Sequence, residues 1–317
     1  MKYLIPFFFL LLCGNTAPAQ NGKIVAREKV NILQNEKIAL RISYKKNGKR
    51  YFHEKYQYLD DVQIERITYL SDGLKVKGYL AYPKANKKQV HKKQYPCVIY
   101  NRGGNRSFGA LSDFKAAFIL AKVASWGYIV AGSQYRGNMG GEGKEEFGGS
   151  DVNDILNLVP LFNSFPQADT SRIALYGWSR GGMMTYLTLS RSCQFKVAIV
   201  GAGLSDLWTW MHTRPDTIET VFAQNIPHYA TNTKAALDQR SAIRLVDNIC
   251  KSTPILILHG TADWRVAPEM ALDLSKAFIK ENITHRLVLF EGGDHSLRDF
   301  TEEVDEQVKR WLAKMEN

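Results

Sequence analysis

The chain has 317 residues, 45% of them hydrophobic, which is enough to bury the core of one large domain. Stretches typical of strands alternate with stretches typical of helices, and no internal repeat or low-complexity tract interrupts them, which excludes a repeat array and favours an α/β protein. The 42 basic and 31 acidic residues give a formal net charge of +11, but no nucleic-acid-binding motif accompanies it, so we predict no nucleic-acid partner.

The first nineteen residues have the pattern of an export signal. Lys2 supplies positive charge, residues 4–12 form a short apolar run, and residues 17–19 (Ala-Pro-Ala) offer small side chains for cleavage before Gln20. The run is too short to span a bilayer, so no stable membrane span is predicted. We expect a signal peptide at 1–19 and a periplasmic or extracellular protein. The alternative is a lipid anchor through Cys13, although Leu12 stands where a small residue is preferred.

The hydrophobic pattern predicts a chain of alternating elements after an N-terminal extension at 20–61. The predicted strands are 62–70, 75–82, 97–101, 128–133, 173–176, 197–201, 255–259 and 286–290. The predicted helices are 112–125, 151–162, 181–191, 268–281 and 301–315. Much of the basic excess lies in 41–55 and 84–93, where a solvated basic face is favoured over attraction to an anionic polymer or membrane surface.

Residues 176–182 read Tyr-Gly-Trp-Ser-Arg-Gly-Gly, at the end of a predicted strand and before a helix. This is the pattern of a nucleophile elbow, in which a strand turns sharply into a helix and lifts the serine hydroxyl clear of the backbone. Side chains two residues away on either side would collide, so those positions are glycine. Ser179 is therefore the predicted nucleophile; a Gly-rich turn with an incidental serine is the alternative.

Residues 204–248 form a long connection that carries the aromatic residues Trp208, Trp210, Phe222 and Tyr229. Connections of this length often build a cap over an active site, with aromatic side chains lining a substrate pocket. Packing of the same side chains in the core is the competing interpretation.

The predicted strand at 255–259 leads into a loop with Asp263, and the strand at 286–290 leads into a Gly-rich loop with His295. The chain order serine, aspartate, histidine is that of α/β-hydrolases. We therefore predict the triad Ser179, Asp263 and His295 in an α/β-hydrolase domain at 62–317, with a mostly parallel eight-stranded sheet flanked by helices. His259, Asp263, Asp294 and His295 could also be considered as metal ligands, but the triad already accounts for these loops, so no metal or cofactor is predicted.

The elbow motif, the loop His259-Gly260-x-x-Asp263-x-x-Val266 and the sequence Gly293-Asp294-His295 resemble the catalytic domain of the prolyl oligopeptidase family, dipeptidyl-peptidase-like members especially. The resemblance extends over about 62–311 and includes the Arg-Gly loop at 134–143. It implies a serine peptidase. The larger members carry a β-propeller whose glutamates, in the dipeptidyl-peptidase branch, grip a free amino terminus. Because the extension before residue 62 is short, no propeller is expected here.

A second departure concerns the oxyanion hole, to which those peptidases contribute a tyrosine hydroxyl from the loop after an early strand. Here that loop begins Tyr100-Asn101-Arg102-Gly103-Gly104, and Arg102 falls at the tyrosine position. We expect the backbone N–H groups of Arg180 and Gly103 to form the hole, with the Tyr100 hydroxyl as a fallback donor.

Tyr100, Arg102 and Trp178 are the candidate substrate-binding residues. Arg102, like Arg106, could hold a substrate carboxylate or could stabilise its own loop by ion pairing.

After removal of the leader the chain keeps Cys97, Cys193 and Cys250. Cys97 lies within a predicted core strand and is expected to be a small buried hydrophobe. Cys193 and Cys250 could pair in an oxidising compartment, whereas the odd count argues against a disulfide framework, so the pairing stays open.

These features predict an exported serine hydrolase that cleaves short peptides through an acyl-enzyme. The alternative is a carboxylesterase acting on small or carbohydrate-linked esters, favoured by the missing propeller and the missing tyrosine. A non-catalytic binding protein on a hydrolase fold is a third possibility, but such a protein would be expected to lose a triad member.

Overall fold

The computed structural model of the protein describes residues 20–84, 94–213 and 215–316. The predicted leader at 1–19, with Cys13, and the basic residues 85–93 lie outside the described residues. In the part of the chain that is described, no helix is both long enough and apolar enough to cross a bilayer.

A nine-stranded sheet organises the fold, with strand order β1-β4-β5-β7-β6-β8-β9-β10-β11. The strands are β1 (Ile24–Lys29), β2 (Ser43–Lys46), β3 (Lys49–Phe52), β4 (Val62–Ser71), β5 (Leu74–Pro83), β6 (Tyr95–Asn101), β7 (Ile129–Ser133), β8 (Ala168–Trp178), β9 (Val197–Gly201), β10 (Ile255–Gly260) and β11 (His285–Phe290). From β7 to β11 neighbouring strands are parallel, whereas β1, β4, β5 and β7 pair antiparallel. Strands β2 and β3 form a separate hairpin.

All eight predicted strands form, and the sheet has one more than predicted because the N-terminal extension contributes β1. This strand pairs antiparallel with β4 at the edge of the sheet. Five of its six residues are exposed, so it lacks the apolar run by which a central strand is recognised. The extension is therefore joined to the sheet of the predicted catalytic domain by backbone hydrogen bonds.

The helices are α1 (Glu36–Ile42), α2 (Asp113–Lys115), α3 (Ala121–Ser125), α4 (Asn153–Leu156), α5 (Arg180–Leu189), α6 (Leu207–Thr213), α7 (Pro215–Asn225), α8 (Thr233–Asp238), α9 (Glu269–Lys280) and α10 (Thr301–Leu312). A π-helical turn, Ala116–Leu120, joins α2 to α3. The helix predicted at 151–162 is instead broken into α4 and a 3₁₀ helix, Pro160–Ser164, because proline has no N–H to donate to a preceding turn.

Two clusters of buried hydrophobic side chains cover the two faces of the sheet. Along β10, Ile255 and Ile257 belong to one cluster and Leu256 and Leu258 to the other, as the two-residue period of a strand requires. Because both faces are covered, the central strands are apolar along nearly their whole length.

The connection at 204–248, with α6, α7 and α8, packs on the first cluster. Phe222 and Tyr229 are buried, and Phe147 lies 5.8 Å from Phe222 and 6.1 Å from Trp210 between ring centroids. None of the four aromatic residues of this connection lines the cavity at Ser179. These four aromatic side chains therefore pack in or against the core rather than line that cavity.

A disulfide joins Cys193 to Cys250, whose Cα atoms are 5.3 Å apart. Cys250 follows the 204–248 connection, so the bond ties the end of that connection to the chain just after α5. Cys97 is a buried free thiol, and burial raises its pKa.

Candidate active site

Ser179 stands between the end of β8 and the start of α5, with φ 59° and ψ −125°. This backbone conformation is energetically unfavourable for a serine, and it persists only where the surrounding structure enforces it. A Cβ atom at Gly177 would lie 2.1 Å from the carbonyl oxygen of Gly181, and one at Gly181 would lie 1.9 Å from that of Asn101. The two glycines are therefore required by close backbone approach, and the sharp turn of a nucleophile elbow is present.

Asp263 and His295 come together because β10 and β11 are parallel neighbours that end at the same edge of the sheet. The Nδ1 atom of His295 lies 2.8 Å from Oδ2 of Asp263. The other carboxylate oxygen, Oδ1, accepts hydrogen bonds from the backbone N–H groups of Arg265 at 2.9 Å and Val266 at 3.0 Å. Asp263 is thus held on both of its oxygens.

Burial of Asp263 raises its pKa, but hydrogen bonds from His259, His295 and the backbone of Val266 outweigh burial and hold the pKa well below its ordinary value. The carboxylate is therefore ionised, and Nδ1 of His295 carries the proton that it donates. His259 is itself fully buried; its Nε2 donates to the carbonyl oxygen of Val266 at 2.9 Å and lies 3.4 Å from Oδ2 of Asp263. Beyond packing in the loop, His259 supports the orientation of Asp263.

A cavity of about 450 Å³ opens beside Ser179 and is lined by His295, Tyr100 and Trp178 among others. The Trp178 indole N–H donates to the carbonyl oxygen of His295 at 2.9 Å, so this residue also fixes the histidine loop. Tyr100 is buried edge-on against Tyr176, with ring centroids 5.4 Å apart, and burial raises its pKa. The hydroxyl of Tyr100 has no hydrogen-bond partner among the described residues.

The loop after β6 lies directly against Ser179. A Cβ atom at Gly103 would stand 2.9 Å from the carbonyl oxygen of Trp178 and 3.2 Å from Cβ of Ser179. Within the described chain, neither the backbone N–H of Gly103 nor that of Arg180 has a hydrogen-bond acceptor. Both predicted oxyanion donors are therefore available to a substrate oxygen.

Of the two roles predicted for Arg102, the structure shows stabilisation of its own loop. Its side chain is 1% exposed and donates hydrogen bonds to the backbone carbonyl oxygens of Gln134, Gly103, Arg106 and Phe108. The substrate-binding hypothesis for Arg102 is wrong, since these carbonyls occupy the guanidinium. Arg106 also stabilises the loop, by donating to the side chain of Asn225 at 3.3 Å and the carbonyl oxygen of Gln224 at 3.2 Å.

The Arg180 side chain, next to Ser179 in the chain, reinforces the same loop. It is 2% exposed, donates to the carbonyl oxygen of Gly104 at 2.8 Å, and pairs with Glu145 and, at 2.7 Å, with Asp151. Glu145 in turn accepts the backbone N–H of Arg106 at 3.0 Å. Glu145 and Asp151 went unrecognised in the sequence because no motif marks a carboxylate whose partner is 29 or 35 residues away.

Burial raises the pKa of Glu145, but the charges of Arg180 and Arg102 and the hydrogen bonds that it accepts lower the pKa below its ordinary value. The carboxylate is therefore ionised between two buried guanidinium groups, with Nη2 of Arg102 at 3.6 Å. Among the described residues, no group of three His, Cys, Asp or Glu side chains is arranged to hold a metal ion.

Comparison with known proteins finds relatives that are similar to this chain in sequence. The uncharacterized peptidase YtmA of Bacillus subtilis is 32% identical over 207 residues, which cover 65% of this chain and 76% of the relative. The probable dipeptidyl-aminopeptidase B of Pyrenophora teres is 27% identical, over 71% of this chain but only 25% of the relative.

Two solved structures share the fold. A puromycin-hydrolyzing peptidase of Mycobacterium tuberculosis superposes with a TM-score of 0.64 at 23% identity, over 77% of this chain and 37% of that one. The acylaminoacyl peptidase of Pyrococcus horikoshii superposes with a TM-score of 0.65 at 21% identity, over 84% of this chain and 45% of that one. The chain thus spans less than half the length of either protein.

The model of the prolyl oligopeptidase family matches residues 113–317, a segment that begins at α2 and includes Ser179, Asp263 and His295. With this match over more than half of its length, the chain belongs to the prolyl oligopeptidase family of serine hydrolases.

Proposed function

We propose that Ser179, His295 and Asp263 are the catalytic triad of a peptidase that cleaves short peptides through an acyl-enzyme. One observation carries the proposal: the serine of a strained elbow lines the same cavity as His295, whose Nδ1 lies 2.8 Å from the ionised Asp263. A nucleophile, a base and a group that orients the base are the three parts that this chemistry needs.

In the first step, Nε2 of His295 takes the proton of the Ser179 hydroxyl while Oγ attacks the scissile carbonyl carbon. The carbonyl oxygen becomes an oxyanion, and the backbone N–H groups of Gly103 and Arg180 donate to it. The C–N bond then breaks, His295 gives its proton to the leaving amine, and the acyl group stays on Ser179. A water molecule that gives its proton to His295 then attacks the acyl carbon. The bond to Ser179 Oγ breaks, His295 returns the proton to Oγ, and the acid is released.

Asp263 acts through the histidine. Because its carboxylate accepts from Nδ1, it holds the imidazole in the tautomer with a basic Nε2 and stabilises the imidazolium that forms. The backbone hydrogen bonds from Arg265 and Val266, with His259 alongside, keep the carboxylate in place during this transfer.

A carboxylesterase remains the second candidate function, on the strength of the loop at Gly103. Backbone N–H donors on a glycine-containing loop are the arrangement typical of esterases. The loop packs so closely on the elbow that a Cβ atom at Gly103 would stand only 2.9 Å from the carbonyl oxygen of Trp178. Peptide hydrolysis is favoured because the family and the named relatives are peptidases.

The test is a substrate profile with a nucleophile variant. Ser179→Ala should lower kcat by roughly six orders of magnitude, the scale of losing a triad nucleophile, and should abolish labelling by a fluorophosphonate while circular dichroism stays unchanged. Wild-type protein should cleave fluorogenic dipeptides and tripeptides faster than short-chain aryl esters relative to the uncatalysed rates. Labelling that survives in Ser179→Ala would reject Ser179, and a strict preference for esters would replace the peptidase with the esterase.

The same proposal includes export. It is supported by the signal-like pattern at 1–19 and by the Cys193–Cys250 disulfide, since disulfides persist mainly outside the reducing cytosol. Mass spectrometry of the protein from fractionated cells should find an amino terminus at Gln20 outside the cytoplasm. A cytoplasmic protein that retains Met1 would contradict export.

A further inference from the structure

The cavity at Ser179 extends away from the triad between two helical segments. One wall comes from the helical segment 113–126, which contributes Phe118 and Trp126. The other comes from α10, which contributes Val304. Phe108 and Leu297 add further apolar surface. Apolar walls with a few placed polar groups are typical of pockets that bind small molecules.

Three of the basic side chains that line this cavity already have partners within the protein. Lys122 pairs with Asp305, which also lines the cavity, and Arg102 donates to backbone carbonyls. Arg265 lies with its guanidinium 5.0 Å from the centre of the Trp264 ring, next to the Asp263 loop.

Lys115 is the exception. Its half-buried side chain lines the cavity, and its ammonium group makes no hydrogen bond or ion pair with a described residue. The nearest carboxylate in sequence, Asp113, is occupied by Arg66 and by the hydroxyl of Tyr79. Burial, and then the charge of Arg102, lowers the pKa of Lys115, and no carboxylate offsets them.

We propose that Lys115 binds a carboxylate of the substrate, so that the enzyme selects short peptides with an apolar side chain and a free C-terminal carboxylate. The proposal rests on the peptidase function above. A half-buried ammonium without a counterion among the described residues, in a cavity with several apolar walls, favours an anionic group there. The cavity volume of about 450 Å³ lies in the lower part of the range for ligand pockets, which suits a short peptide.

The position of the anion also restricts where the chain is cut. In an unmodified peptide the main-chain carboxylate belongs to the fragment that leaves as an amine, so a carboxylate on Lys115 places the scissile bond within a few residues of the C-terminus. Among peptides of one sequence, the free acid should then be preferred over its C-terminal amide.

The first experiment compares an acid with its amide for one short apolar peptide that is cleaved at the same bond. Wild-type kcat/KM should be tenfold to a hundredfold higher for the acid, the range expected of a hydrogen bond between two charged groups. Lys115→Met should remove this preference by lowering kcat/KM for the acid alone, mainly through KM, whereas Lys115→Arg should retain most of it. The exposed Lys280, at the end of α9, provides the matched control Lys280→Met, which should leave both substrates unchanged.

Equal hydrolysis of acid and amide by the wild-type protein would overturn the proposal, as would an equal loss for both substrates in Lys115→Met. If the preference survives in Lys115→Met and disappears in Arg265→Met, the anion site belongs to Arg265 and the assignment to Lys115 is wrong.

A binding measurement separates this proposal from the proposed catalytic function. In Ser179→Ala protein, calorimetry with the same peptide acid and amide should show tighter binding of the acid, and the double variant Ser179→Ala/Lys115→Met should lose the difference. Tighter binding of the acid without peptide hydrolysis by the wild type would support the anion site and reject the peptidase. Equal binding of both would reject the anion site alone.

Discussion

The two sides of Ser179 are built in different ways. On one side, here called the histidine side, Asp263 and His295 lie on loops after adjacent strands and are linked by one hydrogen bond of 2.8 Å, with Trp178 bracing the histidine loop at 2.9 Å. On the other, here called the oxyanion side, the loop at 102–109 is held by the buried side chains of Arg102 and Arg180.

The difference follows from what each side must do. A histidine that moves protons needs a single orienting partner and freedom to face the substrate, and His295 keeps a partly exposed side chain. An oxyanion hole works only if its donors are fixed before charge develops. A loop with three glycines is pliable, and buried charged hydrogen bonds to its carbonyl oxygens restrict it. The oxyanion side should therefore respond to distant changes that leave the histidine side intact.

The largest expected loss of activity among these variants is on the histidine side. Asp263→Asn should lower kcat by about four orders of magnitude, because an asparagine favours the wrong tautomer of His295. The matched control Asp294→Asn, one residue before the histidine, should keep near wild-type kcat with the best peptide substrate. A wild-type rate in Asp263→Asn, or the large loss in Asp294→Asn, would move the orienting role to Asp294.

The next effect is on the oxyanion side. Arg180→Met should lower kcat by about a hundredfold to a thousandfold, the range for a lost oxyanion donor, because the carbonyl of Gly104 loses its anchor. The change also removes the Arg180 guanidinium from the buried carboxylates of Glu145 and Asp151 and should cost about 3–5 kcal/mol of stability in chemical denaturation. Arg191→Met, which alters an exposed arginine just after the same helix, is the control. A folded Arg180→Met enzyme with unchanged kcat would show that the side chain does not position the loop.

A smaller effect is expected where the shape is kept and only the charge is removed. Glu145→Gln can still accept the backbone N–H of Arg106, but it loses ion pairing with Arg180. Its kcat should fall by about thirtyfold, equivalent to one hydrogen bond to a charged group, with KM little changed. Glu146→Gln, whose carboxylate accepts from the backbone of Ser150, is the neighbouring control. If both variants lose activity equally, the effect is not specific to the loop.

The smallest effect concerns Tyr100. With backbone donors at Gly103 and Arg180, Tyr100→Phe should keep kcat and kcat/KM within about tenfold, whereas loss of a true oxyanion donor costs a hundredfold or more. Steady-state kinetics with unchanged circular dichroism decides between them. A hundredfold loss in kcat would give the tyrosine hydroxyl the donor role and reject the backbone pair.

The sequence determined the histidine side and the elbow because their constraints are local. The sharp turn at Ser179 requires glycine at fixed offsets, as the Cβ clashes at Gly177 and Gly181 explain. Asp263 and His295 are recognisable because apolar strands end immediately before their loops, and parallel neighbouring strands bring those ends together.

Tertiary structure alone decided the rest. Strand β1 is polar and gains its place from pairing with β4, and the role of Arg102 depends on a carbonyl 32 residues away. The Cys193–Cys250 bond spans 57 residues, and Lys115 reaches the nucleophile's cavity only through the packing of α2 beside it. Periodicity and short motifs record a residue's neighbours along the chain, whereas buried charges are placed by partners that only the folded chain brings within reach.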